Sequence, residues 1–71
     1  MMKMNGQVEG IAIAKYRCGK FTLTCKKSNG FYCVTFHNGR QTNITMYSKD
    51  KDEMNRYIKE QIAEGYRRER I

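Results

Sequence analysis

The chain has 71 residues with 14 Lys plus Arg against seven Asp plus Glu, a net charge of +7, which is material for one small domain and not for two. No run approaches the roughly 18 to 20 apolar residues of a membrane helix, and Met1-Met2-Lys3-Met4-Asn5-Gly6-Gln7 lacks the apolar stretch of a signal peptide. The expectation is a soluble cytoplasmic protein with no membrane partner, in which residues 1–7 are a flexible N-terminus and residues 8–71 form one α+β domain.

The first strand is expected over about residues 8–17. Ile11 and Ile13 alternate there with Ala12, Ala14 and Tyr16, and either set can face inward. A two-residue Cys18-Gly19 turn would pair Tyr16 with Phe21 and Ala14 with Leu23, burying the alanines and leaving both isoleucines on the opposite face. The second strand, about 20–26, alternates cleanly: Phe21, Leu23 and Cys25 point one way, with Lys20, Thr22, Thr24 and Lys26 the other. Lys27-Ser28-Asn29-Gly30 then reads as a four-residue turn. A third strand comes next, over about 31–37. This loop sets Cys25 opposite Tyr32, Leu23 opposite Val34 and Phe21 opposite Phe36, three apolar pairs on one face.

Asn38-Gly39 is a strong hairpin signal, but a two-residue loop would set Val34 against Asn43 and Phe36 against Gln41. A three-residue His37-Asn38-Gly39 loop with a bulge at Gly39 aligns Tyr32, Val34 and Phe36 with Ile44, Thr42 and Arg40 instead. The fourth strand then spans about 40–47. From Ser48 the period becomes helical, with Met54, Tyr57, Ile58, Gln61, Ile62, Gly65 and Tyr66 on one stripe of a helix over about 51–68. Asp50 and Glu53 form a variant capping box, and Arg67, Arg68 and Arg70 lie at the end of the helix dipole that favours cations. The predicted architecture is a four-stranded antiparallel β-meander followed by one C-terminal amphipathic helix packed on one sheet face.

Cys18, Cys25 and Cys33 are odd in number, lack a C-x-x-C spacing and accompany a single histidine, a pattern of reduced, buried thiols with no metal site and no disulfide framework. No phosphate-binding, zinc-protease or serine-hydrolase motif is present. Cys33 and His37 share a strand face but stand too far apart along it to hydrogen-bond. The expectation is a protein that is not an enzyme and needs no cofactor.

Charge is unevenly divided. The first 47 residues hold seven basic residues and one acid, and the last 24 hold seven basic and six acidic. The helical half is therefore nearly neutral and lacks the one-sided basic face of a groove-binding helix. If the helix covers the face bearing Phe21, Leu23, Val34 and Ile44, the other face displays Lys15, Arg17, Lys20, Thr22, Thr24, Lys26, Thr35, His37, Gln41, Asn43 and Thr45, with Phe31 and Tyr47 interleaved. Cations attract phosphate, amides and hydroxyls bond phosphates or base edges, and exposed aromatics stack on bases. Arg40 falls on the other face, beside the bulge, from which its side chain reaches round the edge. A single-layer domain must also leave one sheet face to water, and Thr and Lys are ordinary choices there. Ile11 and Ile13 on this face would suit a homodimer or protein-binding patch better than a phosphate surface.

The order of four strands and a helix is similar to that of coactivator-type single-strand DNA binders. A three-stranded basic sheet followed by a helix is similar to integrase amino-terminal and plant ethylene-response-factor DNA-binding domains. Both likenesses are architectural and assign no functional positions. Size and composition also resemble those of small phage or mobile-element accessory proteins, including inhibitors of bacterial defence complexes, which would place the chain in a host cytoplasm. The expected function is a non-enzymatic basic module contacting nucleic acid, with Lys15, Arg17, Lys20, Lys26 and Arg40 at phosphates and Phe31, Gln41, Asn43 and Tyr47 in secondary contacts. The alternatives are an inhibitor docking on an acidic protein surface and a homodimer.

Overall fold

The computed structural model describes residues 10–69. Four strands, β1 (Ile11–Cys18), β2 (Phe21–Ser28), β3 (Phe31–His37) and β4 (Thr42–Ser48), form the expected antiparallel meander, and the helix α1 (Lys51–Ala63) packs on one face of it. A fifth strand, β5 (Arg67–Glu69), is absent from the predicted architecture. It pairs antiparallel with β1, so the sheet order is β4-β3-β2-β1-β5.

The extra strand exists because the helix stops early. Gly65 takes φ +122°, its N–H donates to the carbonyl of Ile62, and the Tyr66 N–H donates to that of Gln61. This is the Schellman closure, which satisfies carbonyls that the helix would otherwise leave unpaired. The predicted helix to residue 68 is thus cut at Ala63. Arg67 and Arg68 are sheet residues and not cations at a helix end; Arg70 lies outside the described residues, as do residues 8 and 9 of the predicted first strand. At the other end Asp50 caps the helix, accepting from the Asp52 N–H. Glu53 does not reach back to the backbone of Asp50. It accepts from the Ser48 hydroxyl, which itself accepts from the Asp50 N–H, so the capping box closes through a third residue.

The turns differ from expectation in ways that decide which residues share a face. At the β2–β3 hairpin both Asn29 (φ 50°) and Gly30 (φ 79°) have positive φ, a two-residue turn of the primed type. Ser28 therefore pairs with Phe31, Cys25 with Val34 and Leu23 with Phe36. The register is displaced by two residues from the predicted one, and because strand periodicity is two, every face assignment in β2 and β3 survives. At the β1–β2 hairpin the turn is Gly19-Lys20, one residue later than expected, with Cys18 opposite Phe21 and Tyr16 opposite Leu23. Ala14 and Tyr16 face the helix, as predicted. A bulge at Ile13 then reverses the alternation, which puts Ala12 opposite Lys26 and Ile11 opposite Lys27. Ile13 lines a depression on the helix side with Met54, Ile58 and Arg68. The isoleucines therefore do not occupy the outer face, and the dimer patch they would have made there is absent from it.

The β3–β4 connection is a four-residue loop, Asn38 to Gln41, and not the predicted three-residue bulge. The Asn38 side-chain oxygen accepts from the N–H groups of Arg40 and Gln41, an amide fold-back that shapes the turn locally. His37 then opposes Thr42, and Thr35 opposes Ile44. Continued alternation would send Met46 outward with Ile44, but a bulge at Thr45 brings Met46 opposite Val34 on the helix side. The Thr45 hydroxyl donates to the Val34 carbonyl and accepts from the Tyr57 hydroxyl of α1, so the helix is fastened to the bulge. Ile44, expected inside, is on the outer face and 44% exposed.

The core lies between the sheet and α1. Tyr16, Leu23, Cys25, Val34, Met54 and Ile58 are its buried members, with Ala14, Tyr32, Phe36, Met46, Tyr57 and Tyr66 packed around them. Burial pushes the Cys25 thiol up to about 11 from an ordinary 9.0, against the opposing effect of Arg68. Burial also raises Cys33, against Lys26, and is the first cause of a raised Tyr66. All three groups hold their protons more tightly folded than unfolded; the stability from the two thiols is complete below pH 9 and is lost as pH rises above it, through about 11 for Cys25, and that from Tyr66 is complete below pH 10 and is lost above it. Urea midpoints in the presence of reductant should therefore fall between about pH 8 and pH 10.5. At about pH 8 a thiol reagent should label half-buried Cys18 well before Cys25 and Cys33, which are buried.

Candidate binding face

The face turned away from α1 is an ordered grid, because each row of paired residues crosses the strands. One row runs Arg67, Arg17, Thr22, His37, Thr42, and the next runs Glu69, Lys15, Thr24, Thr35, Ile44. The third is Ala12, Lys26, Cys33, Tyr47. Lys15, Arg17, Lys26, His37 and the four threonines 22, 24, 35 and 42 line one shallow depression. Thr35, which lines it, is buried although it points away from the helix, and so is Cys33, opposite Lys26 in the next row. Small residues at the centre of the middle strands, with long side chains on either flank, produce the concavity.

Two contacts hold the rim. The Arg17 guanidinium donates to the carboxylate of Glu69 on β5 at 2.5 Å, with both side chains partly exposed, and the His37 ring hydrogen-bonds the Thr42 hydroxyl at 2.9 Å. An exposed ion pair of this kind is worth at most about 1 kcal/mol; Glu69 orients Arg17 and takes one positive charge from the sum over the face. The described charges on the face are the four cations Lys15, Arg17, Lys26 and Arg67 and the one carboxylate Glu69, a net +3. From Asp50 to Glu64 the helix and its caps hold five carboxylates and three cations. With Lys27 and Arg68, which face the same side, the helix side sums to about zero, so the net positive charge lies on the side of the molecule that the helix leaves open.

At the opposite end of the grid, beside the β2–β3 turn, Phe31 of β3 and Tyr47 of β4 stack nearly parallel, with centroids 5.1 Å apart and an 8° interplanar angle. The Lys49 ammonium lies 5.6 Å from the centre of the Phe31 ring, within cation–π range.

Of the nine residues singled out by sequence, Lys15, Arg17, Lys26, Phe31 and Tyr47 are brought together on this face. Lys20 is not: it sits in the β1–β2 turn with its ammonium over Phe21, whose stacking partner is Phe36 on the helix side. Asn43 opposes Phe36 and also belongs to the helix side, displaced by the longer loop. Arg40 and Gln41 are exposed in the loop beyond His37, at the rim of the grid. Sequence reasoning misses Arg67, Glu69, Thr42 and Lys49. The cue for the first two is Gly65, which marks a helix stop and so frees residues 67–69 to pair as a strand.

Among the described residues no helix is long and apolar enough to cross a membrane. Among the same residues no group of three or more His, Cys, Asp or Glu is placed to hold a metal ion. The chain matches no protein-family model, no curated protein and no solved structure. The chemistry of the face is then the ground for a functional reading.

Proposed function

We propose that the protein is a non-enzymatic cytoplasmic module that contacts nucleic acid through this outer sheet face. The observation that carries the reading is the depression lined jointly by Lys15, Arg17 and Lys26 and by the threonines 22, 24, 35 and 42. Cations at phosphate draw in the backbone and release its counterions, and hydroxyls hydrogen-bond phosphate oxygens without adding charge. Arg67 extends the cationic rim along β5, and the two-residue turns leave the face unobstructed at the β2–β3 and β1–β2 ends. The three free cysteines are in keeping with a reducing compartment.

The test is fluorescence anisotropy with labelled oligonucleotides at several salt concentrations. Three or four phosphate contacts give a slope of log affinity against log salt of roughly −2 to −4. Micromolar or tighter binding at about 0.15 M salt with such a slope supports the reading. No binding, or binding confined to very low salt, overturns it and turns the same positive face toward an acidic protein surface, as in an inhibitor that occludes part of a larger complex.

A further inference from the structure

The outer face is split lengthwise. Its cations, Arg67, Arg17, Lys15 and Lys26, stand on β5, β1 and β2, while Ile44, Tyr47 and Phe31 stand on β4 and β3. Lys26 and Tyr47 share a row two strands apart, which is about 10 Å at ordinary strand spacing. Building on the proposed nucleic-acid contact, we propose that the ligand is a single strand, laid along the sheet with its phosphates over β1 and β2 and a base stacked on Tyr47.

Three observations carry this. A duplex presents phosphate on its outside and hides the faces of its bases, so it has no use for an aromatic row beside the cationic one. A single strand has a charged side and an apolar side, and the two halves of this face match them. Second, Phe31 and Tyr47 are already stacked nearly parallel, and the Lys49 ammonium lies within cation–π range of Phe31. Tyr47 is 58% exposed. A base placed there continues an ordered stack and fixes no new protein side chain, so little conformational entropy is lost. Third, five strands span about 19 Å, too wide for a major groove of about 12 Å that admits a helix or a two-stranded ribbon.

The experiment compares a labelled single strand of about 12 nucleotides, within the site sizes common for such surfaces, as DNA and as RNA, with the matching duplex, using wild type, Tyr47→Ala, Tyr47→Phe and Lys26→Glu. The expected result is at least tenfold tighter binding of the single strand than of the duplex. Tyr47→Ala should lose roughly tenfold on the single strand, Tyr47→Phe should retain wild-type affinity, and neither should change duplex binding. Thermal melting of both variants establishes that they fold, and an oligonucleotide with abasic sites should bind wild type as weakly as an intact one binds Tyr47→Ala. The DNA and RNA arms identify which single strand is preferred. Equal or tighter duplex binding that Lys26→Glu weakens and Tyr47→Ala does not would overturn the single-strand assignment and leave the basic face standing. Binding of neither form would overturn both.

Discussion

Replacing Lys15 and Lys26 together with Glu is expected to abolish nucleic-acid binding at about 0.1 M salt while the domain stays folded. Both lysines are half-buried on the outer face and line the same depression. The face holds four cations and one carboxylate. After the double change it holds two cations and three carboxylates, so its net charge moves from +3 to −1. Like charges brought into juxtaposition cost several kcal/mol, which corresponds to a loss of roughly a hundredfold or more. The core is on the other side of the strands, and surface substitutions away from it usually change stability by about 0.5 kcal/mol or less. The thermal midpoint should move by only a few degrees. The Gln pair, Lys15→Gln with Lys26→Gln, should lose affinity by a smaller factor and in a salt-dependent way. Lys20→Glu is the internal comparison: the same charge change at a turn, on a lysine lying over Phe21, should cost less than about fivefold. If Lys20→Glu weakened binding as much as the double change, attraction would follow total charge and not this face. If the double variant bound as well as wild type, the face would have no part in binding.

The four-strand meander, the helix packed on it and the inward set Ala14, Tyr16, Leu23, Cys25, Val34 and Phe36 are legible in the sequence because period-two alternation survives any even error in register. The β2–β3 turn shows this: a loop of two residues in place of four shifts every pair by two positions and moves no side chain to the other face. The misplaced residues follow odd displacements. Ile44 and Asn43 lie downstream of a loop one residue longer than expected, Ile13 is itself a bulge, and Ile11 lies upstream of it. A bulge has no local signature in these residues. Its cause is tertiary: at Thr45 it is the Tyr57 hydroxyl and the need to bring Met46 under the helix, and neither is visible along β4 alone. The helix boundary fails differently. The apolar stripe continues through Tyr66, and periodicity outweighs Gly65, although the glycine is the stronger physical signal. That error conceals β5, and with it the carboxylate that orients Arg17 and the cation that extends the rim.

Leu23→Ala is expected to destabilise the domain by about 3 kcal/mol. Leu23 is 1% exposed on the central strand of the sheet order β4-β3-β2-β1-β5. It lies between Tyr16 and Phe36 in its row and in the buried cluster with Met54 and Ile58. A one-layer core has no second sheet to collapse into the cavity, so the loss falls near the middle of the range for buried leucine. A domain this small is stable by roughly 4 to 10 kcal/mol, so the truncation removes a large share, and the thermal midpoint should drop by roughly 12 to 24 °C. Leu23→Met, which keeps the volume, should cost less than about 1.5 kcal/mol. The side chains of Thr22 and Thr24 on either side point to the opposite face. At a temperature where Leu23→Ala remains folded its nucleic-acid affinity should therefore match wild type, whereas Lys15→Glu with Lys26→Glu should show the reverse pattern of intact stability and lost binding. A loss of less than about 1 kcal/mol on truncation would mean that packing between sheet and helix is not what holds the domain together, and that contacts with another molecule supply the difference. A fall in affinity in fully folded Leu23→Ala would mean that the two faces of β2 are mechanically coupled, since only a shift in the strand itself connects the leucine to the lysines behind it.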